Sequence, residues 1–534
     1  GNHTEARQLY ARVLELHASQ HKEASQFAST EEFLAWQQEE DQVQGMIWRA
    51  IGYTWRYPGE YSRAHECAEW GKQVLRVAGI TTGAAWACLQ HLDGGIYWAE
   101  GNFTEAMLHL EEALAIQEEL TRIAQTNTVD KQPSPGTLLP PLMTRTRRSL
   151  LGDPLELSAA HESLGIVTAS LGQYNGALQH MHTALAILEE HNLVSMMSRV
   201  CGNLGAVYAM KAEHTIASTY FKRALEVAER TSDIRNKVFV YFNLGDTAAR
   251  SGNLQEAATW LTDSLVLAEQ MSDREYTSWA LVALATVQQD LGKMREALEN
   301  IRRALAIGRS MKSTIRIGLA LVALANWRVT CALMLRDQQT ASQARSAHKN
   351  ARSAEYQRLL QAARAAAERA LTLEDIEVET RCAGQLILTT IAYQMGDLEH
   401  AQQQAMTVLD ETRQSEMIHL AGRAHCLLGE IQFASRLPQA AHASFAEALQ
   451  IFKQYDMPLD YARTLQRYGH SLLERCRDGQ TGIESTMPDG ASLYSTALDY
   501  LREARALFET CQATTDLQAV EVILADPSLL STRF

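Results

Sequence analysis

The sequence is poor in proline and in aromatic residues. Of its 534 residues only 10 are proline, and the three aromatic types together make up 7%. A β-sandwich needs frequent turns and aromatic-rich strands, so this composition argues against that class and favours a helical protein. Hydrophobic residues still account for 46% of the chain, which is enough to build a continuous core.

Motifs that carry catalytic or metal chemistry are also missing. The chain has no GxGxxG, GxSxG, HExxH or CxxC pattern, so nothing favours a dinucleotide site, a serine hydrolase, a zinc protease or a zinc ribbon. The nearest approach to a phosphate loop, at 308–314, lacks the second glycine before its lysine and follows a helical pattern. We therefore expect no enzyme activity, no catalytic residue, no metal site and no cofactor.

The net charge, the spacing of the cysteines and the apolar runs indicate which partners and which cellular location to expect. The formal net charge is −14, and an acidic field repels phosphate backbones, so we expect no direct nucleic-acid binding. The 8 cysteines are widely spaced, as is typical of reduced thiols in a cytoplasmic protein. One apolar run, 317–335, has Asn326 and Arg328 near its centre, so we interpret it as a buried helix and expect no membrane association.

A repeated unit runs through most of the chain. The segment 201–208 (CGNLGAVY) recurs 40 residues later as 241–248 (YFNLGDTA). A small residue marks the same point of each unit, here called position 8, at Gly52, Gly94, Gly165, Gly205, Gly245, Ala285, Ala325, Thr389, Gly429 and Gly469. Twelve residues after most of these anchors comes an alanine, at Ala64, Ala106, Ala177, Ala217, Ala257, Ala297, Ala401 and Ala441.

This spacing predicts pairs of antiparallel helices. Two helices approach closely only where their side chains are small, and larger apolar residues between those points fill the ridges and grooves. Between the two helices lies a glycine that can end the first helix in a left-handed conformation, at Gly101, Gly172, Gly252, Gly292 and Gly396. The fold class predicted is therefore all-α, with about ten helix pairs.

The pattern resembles the tetratricopeptide repeat over nearly the whole chain. The standard unit has about 34 residues, whereas successive anchors here are mostly 40 apart. Such long units resemble those of kinesin light chains and of the sensor regions of bacterial signalling ATPases and transcription activators. The resemblance implies a right-handed α-solenoid, that is, a superhelix with a concave groove.

Two long intervals interrupt the period. We divide the chain into N-terminal repeats (1–118), a proline-rich insertion (119–157), central repeats (158–335), a basic helical insertion (336–368), and C-terminal repeats with a capping helix (369–534). The first insertion contains the basic cluster Arg145, Arg147 and Arg148, and we expect 126–151 to be a loop or tether outside the core. The segment 1–6 (GNHTEA) copies 101–106 (GNFTEA), so we expect the first helix of the first repeat to be missing and the chain to be a fragment.

The resemblance also implies a binding face. In such superhelices positions 2, 5, 6, 9, 12 and 13 of each first helix line the groove, and an amide at position 6 can bracket a bound peptide backbone. The candidate ligand-binding residues are Arg199, Asn203, Asn243, Asp246, Arg250, Trp279, Asn326, Arg423 and Arg463. We expect loss of Arg199 to weaken binding while stability hardly changes.

The function predicted is non-catalytic binding of a peptide, a protein or a small polar ligand with an acidic group. By analogy the chain is the C-terminal sensor or scaffold region of a larger bacterial signalling or transcription-regulatory protein. The alternative is a plain adaptor that assembles protein partners, and self-association is also possible. The sequence before Gly1 would separate the two: a phosphate-binding motif favours the first, and further repeats favour the second.

Overall fold

The computed structural model describes residues 3–19, 23–127, 152–341, 346–374, 376–415, 417–477 and 492–525. These residues form α-helices, one short 3-10 helix at Ala24–Gln26, and no β-strand. From the N terminus the α-helices are α1 His3–Ser19, α2 Thr30–Arg56, α3 Tyr61–Val77, α4 Ala84–Glu100, α5 Phe103–Asn127, α6 Pro154–Ser170, α7 Tyr174–Glu190, α8 Val194–Met210, α9 His214–Thr231, α10 Ile234–Arg250, α11 Leu254–Gln270, α12 Arg274–Asp290, α13 Met294–Met311, α14 Thr314–Ala341, α15 Ser346–Leu371, α16 Val378–Gln394, α17 Leu398–Gln414, α18 Ile418–Ala434, α19 Pro438–Gln454, α20 Pro458–Arg477, α21 Leu493–Cys511 and α22 Thr514–Leu524.

The described helices form ten consecutive pairs, from α2/α3 to α20/α21, with α1 before them and α22 after them. From α8 to α13 each helix has 17 or 18 residues. Connections of two or three residues then complete a 40-residue unit, which explains the long period. The predicted all-α solenoid of helix pairs is confirmed.

Close helix crossings lie at the predicted small residues. A Cβ atom added to Gly245 on α10 would lie 2.6 Å from Leu261 Cγ and 3.2 Å from the carbonyl oxygen of Ala257 on α11. At Gly94, a Cβ would lie equally close to Leu110 on the partner helix. The alanines twelve positions after the anchors are all fully buried, at Ala64, Ala106, Ala177, Ala217, Ala257, Ala297, Ala401 and Ala441.

The turns inside the pairs adopt the left-handed conformation that the glycine pattern predicts. The five glycines predicted to end first helices all have positive φ, for example +85° at Gly396. At the same point of two other units the chain places Ala212 and Arg436, whose φ angles are 59° and 61°. The turn thus keeps its left-handed geometry even in units where the residue at this point is not glycine.

The chain divides into two compact units. Unit 1 comprises Gly1–Leu204, Arg223–Asp233 and Gln270–Arg274, and unit 2 comprises Gly205–Lys222, Ile234–Glu269 and Glu275–Phe534. Unit 1 holds several small apolar clusters, such as Ala64, Ala68, Leu92 and Ile96. Unit 2 holds one large cluster that extends from the repeats near Leu254 to Val520 on α22.

Unit 2 folds back on itself. A Cβ on Gly252, in the turn after α10, would lie 2.7 Å from Cys511 Sγ and 2.9 Å from Pro458. Thr515 donates a hydrogen bond of 2.6 Å to the carbonyl oxygen of Gln289, 226 positions away in the sequence. The last helices of unit 2 therefore contact the turns that follow α10 and α12.

In the structure, the 40-residue period is interrupted at the two long intervals that the sequence shows. Helix α5 ends at Asn127 and α6 begins at Pro154, while residues 128–151 between them, with the basic cluster 145–148, lie outside the described residues. The basic stretch 336–368 falls in the long helices α14 and α15, on either side of the undescribed residues 342–345. The domain boundaries themselves stay a prediction.

One helix in the described part of the chain is long and apolar enough to cross a membrane. Its segment Thr314–Arg336 has a mean hydropathy of 1.6, and 39% of that window is buried. Arg328 donates a hydrogen bond of 2.7 Å to the carbonyl oxygen of Ala362 on α15. Core helices of other proteins satisfy the same length and composition criteria, so this finding is weak evidence for a membrane span.

Candidate functional site

In unit 1, two candidate residues converge on a carboxylate. Arg199 binds Glu162 through two nitrogens, Nε at 2.7 Å and Nη2 at 2.6 Å, and Asn203 Nδ2 donates to the same carboxylate at 2.8 Å. The side chain of Glu162 is only 3% exposed, whereas that of Arg199 is 45% exposed. The carboxylate of Glu162 raises the pKa of Arg199.

This ion pair changes the expectation for Arg199. A groove arginine without packing contacts can be removed at little cost in stability, as the sequence led us to expect. Removal of Arg199 would instead leave the buried carboxylate of Glu162 with one amide partner and no cation. Arg199 therefore has a structural role in addition to any ligand contact.

In unit 2, Arg250 lies at the centre of a second polar network. Its guanidinium is bonded to Asp246 at 2.8 Å and to Glu379 at 3.0 Å, and His419 Nε2 lies 3.1 Å from the same Glu379 oxygen. Burial opposes charge on Glu379, but Arg250 and His419 hold the pKa of this carboxyl well below its usual range. Burial and then the charge of Arg250 lower the pKa of His419. These four residues are called the Arg250 network.

The two remaining candidate arginines are paired as well. Arg423 makes two hydrogen bonds to Asp460, of 2.9 and 3.0 Å. Arg463 binds Asp290 at 2.6 Å and Asp516 at 2.7 Å. The three aspartate side chains are at most 17% exposed, so the pairs are held largely out of solvent.

The two candidate asparagines of unit 2, Asn243 and Asn326, differ in their surroundings. Asn243 is 9% exposed, and its Nδ2 donates to the carbonyl oxygen of Phe239 one turn earlier on α10, at 2.8 Å. That bond uses one of the donors that would bracket a peptide. Asn326, on α14, is half-buried.

Trp279 belongs to a partly exposed group of rings. Its ring centroid lies 5.4 Å from that of Tyr276 and 6.2 Å from that of Phe242, and Phe239 lies 6.2 Å from Tyr276. The guanidinium carbon of Arg316 lies 3.7 Å from the centre of the Trp279 ring. These five residues, on α10, α12 and α14, are called the Trp279 cluster, and all four aromatic members are half-buried.

Arg316 is the cluster member whose bonding is incomplete. Its side chain is 5% exposed, and its Nε and Nη1 atoms are buried without a hydrogen-bond partner. The nearest carboxylate oxygen, Oε1 of Glu275, lies 4.0 Å from Nη2, which is beyond hydrogen-bonding distance. Such buried donors are rare in folded proteins, because each costs the desolvation of a polar group.

Sequence reasoning found the arginines but missed most of their partners. Glu162 and Asp290 occupy positions 5 and 13 of their units, both in the predicted groove register, so the repeat pattern could have found them. Glu379 and Asp516 pair with residues 129 and 53 positions away. Those contacts depend on the way unit 2 folds back, which no periodicity encodes. Arg316 falls outside the groove positions altogether.

Neither a metal-binding cluster nor an activated thiol is found among the described side chains. Within the described ranges no group of three or more His, Cys, Asp or Glu residues is placed to hold a metal ion. All eight cysteines are free thiols, and burial raises the pKa of Cys201 to about 11 and that of Cys426 to about 12. A thiol with so high a pKa is a poor nucleophile at neutral pH.

Comparison with protein families supports the repeat assignment. Models of the tetratricopeptide repeat match residues 94–121, 194–270 and 239–310. These segments are tetratricopeptide repeats. Together with the helix pairs, the matches confirm the resemblance to the tetratricopeptide-repeat superfamily, whose fold is generally a binding scaffold. No curated protein sequence matches the chain significantly.

Several solved structures match this chain at low identity and with TM-scores below 0.5. A Rap protein complexed with Competence and Sporulation Factor is 13% identical, with a TM-score of 0.48 over 78% of this chain and 99% of that one. The human IFIT1 dimer with m7Gppp-AAAA is 12% identical, with a TM-score of 0.43 over 92% and 95%. BtubC (BKLC) from P. vanneervenii is 20% identical, with a TM-score of 0.32 over 48% and 91%. Likeness at this level transfers no ligand to this chain.

Proposed function

We propose that this chain is a non-catalytic tetratricopeptide-repeat scaffold that binds a peptide at the Trp279 cluster of unit 2. The observation that carries the proposal is the pair of buried, unbonded N–H donors on Arg316, which lie beside partly exposed rings. The cluster includes Trp279, one of the residues that the repeat register assigns to the groove.

The donors on Arg316 indicate what kind of group is bound. A guanidinium offers a planar set of N–H groups that matches a carboxylate, and it also binds peptide carbonyl oxygens. Glu377, a carboxyl whose pKa is raised by burial, makes no hydrogen bond to these donors. An oxygen acceptor supplied by a ligand would therefore satisfy the hydrogen bonds that the described residues leave unmade.

The rings indicate what accompanies that oxygen. Phe239, Phe242, Tyr276 and Trp279 present ring surface that is neither fully buried nor fully exposed. Aromatic side chains contribute large contact areas and favour apolar or aromatic partners. A peptide carries both carbonyl or carboxylate oxygens and apolar side chains, so it can contact Arg316 and the rings together. A small polar ligand would use Arg316 but leave the rings uncovered.

Peptides selected from a random library against the immobilised chain provide the test. We expect Trp279→Ala and Arg316→Met each to weaken binding of a selected peptide by about tenfold or more, as measured by calorimetry. The matched controls are Trp260→Ala, a half-buried tryptophan on the second helix α11, and Arg295→Gln, an exposed arginine on α13. Equal affinity in the cluster variants and the controls would refute the proposed site.

The wider context of the scaffold rests on family resemblance. We propose a sensor region in a larger bacterial signalling or transcription-regulatory protein, with a cytoplasmic location, and a plain adaptor is the alternative. The sequence encoded upstream of Gly1 decides between them. A phosphate-binding motif followed by a switch domain supports the sensor, whereas further repeats support the adaptor.

A further inference from the structure

Unit 1 contains a half-buried arginine that has no acidic partner. The side chain of Arg56, in the last turn of α2, makes no hydrogen bond and no ion pair with any residue that the structure describes, and its Nε atom is buried. On the same helix, Arg49 is bonded to both oxygens of Glu156, each at 2.7 Å. Arg56 thus differs from its neighbour in lacking a carboxylate.

The guanidinium of Arg56 is held in a defined place. It lies against the backbone of α4, where a Cβ on Gly95 would be only 3.2 Å from Cζ and 3.3 Å from each Nη atom. The Tyr53 ring lies 6.0 Å from the guanidinium carbon, and Tyr57 stacks on Tyr53 with ring centroids 5.9 Å apart. Glycine at position 95 therefore provides the space that the guanidinium occupies.

A neutral histidine lies near Arg56. His91 is part of a hydrogen-bonded chain, with Tyr53 Oη 3.3 Å from Nδ1 and Ser163 Oγ 2.8 Å from Nε2. Burial and then the positive charge of Arg49 lower the pKa of His91 to about 3; Glu156 opposes this shift, and Arg56 adds to it. The imidazole therefore carries no charge at neutral pH, and Glu156 is already bonded to Arg49.

We propose that Arg56 forms an oxyanion-binding site, with Tyr53 and Tyr57 beside it, that takes a carboxylate or phosphate group of a ligand. The inference is independent of the peptide site in unit 2, because it uses only residues of unit 1. An oxyanion would accept the unused guanidinium donors, as paired carboxylates do for other arginines. Tyr57, which is 40% exposed, leaves the site open to solvent on one side.

Titration calorimetry with inorganic phosphate and with malonate, at constant ionic strength set by chloride, tests the site. We expect saturable binding of at least one of the two probes to the full chain. Arg56→Gln should weaken that binding by about ten- to a hundredfold. The control Arg63→Gln removes an exposed arginine on α3, which lies over Trp55, and should leave binding unchanged.

A second variant keeps the charge and moves the guanidinium. Gly95→Ala places a methyl carbon 3.2 Å from Cζ of Arg56 and forces the guanidinium to shift, so it should weaken probe binding while the net charge stays the same. Larger affinity for phosphate than for malonate would assign the site to phosphate groups, and the reverse order to carboxylates. Absence of saturable binding, or equal binding by wild type and Arg56→Gln, would overturn the proposal. Should Arg56→Gln fail to fold, unchanged binding by Gly95→Ala overturns it alone.

Discussion

At the scale of single residues, the pair of Arg199 and Glu162 shows how a groove position can serve stability. We expect Arg199→Ala to lower the free energy of unfolding by about 1–2 kcal/mol, because it leaves a buried carboxylate without its cation. The effect is modest because Arg199 is 45% exposed, so solvent screens the ion pair. Urea unfolding of the variant measures the change.

The matched control for Arg199 is a surface pair in the same unit. Arg223 binds Glu189, and both side chains are at least 39% exposed. Arg223→Ala should change the free energy of unfolding by less than about 0.5 kcal/mol. Equal, small effects of the two substitutions would mean that Glu162 does not depend on Arg199.

The left-handed turns allow a second residue-scale prediction. Arg436 is exposed and has a φ of 61°, a conformation that costs a non-glycine residue about 1 kcal/mol. Arg436→Gly should therefore raise the free energy of unfolding by up to about 1 kcal/mol, although glycine also gains entropy in the unfolded chain. Thermal or urea unfolding gives the sign directly.

The reverse substitution at the equivalent turn is the control for Arg436. Gly396 has a φ of +85°, and no atom lies within 4 Å of the place its Cβ would take. Gly396→Ala therefore introduces backbone strain without a steric clash. It should lower the free energy of unfolding by about 1 kcal/mol. A stabilising Gly396→Ala would contradict the account of these turns.

At the scale of helix pairs, the repeat register is tested by overfilling one crossing. Ala257 is fully buried, and its carbonyl oxygen faces Gly245 on α10. Ala257→Leu should lower the free energy of unfolding by about 1–3 kcal/mol because the helices cannot approach as closely. Gln255→Leu, an exposed site on the same helix, adds a leucine outside the crossing and should have little effect.

The helix pairs are also the part of the structure that the sequence predicts best. Position 8, the alanine twelve residues later and the turn glycine are all local, so a single period determines which helices pair and where they cross. Ser198 adds to such a crossing by donating a 2.8 Å hydrogen bond to the carbonyl oxygen of Ala224, and Ser158 donates one of 3.1 Å to the carbonyl oxygen of Ala184. In both hydrogen bonds the serine and the alanine are the same number of positions apart in the sequence. The small-residue anchors alone did not reveal these bonds.

At the scale of the whole molecule, local periodicity does not determine the long-range polar contacts. Arg250 occupies a predicted groove position, but its partner Glu379 reaches it only because unit 2 folds back. Arg316 lies just before its repeat's first groove position, and nothing in the sequence signals that two of its donors are buried without acceptors. The sequence thus predicted the register of the helix pairs, whereas the charge pairing of the candidate groove residues depends on three-dimensional contacts.

The most direct measurement is the structure of the chain bound to a selected peptide. The account predicts a peptide oxygen at about 2.7–3.1 Å from Nε or Nη1 of Arg316. It also predicts an apolar peptide side chain against the Trp279 ring. A complex in which the peptide lies elsewhere, with both Arg316 donors still unbonded, would contradict the proposal that the Trp279 cluster is the binding site.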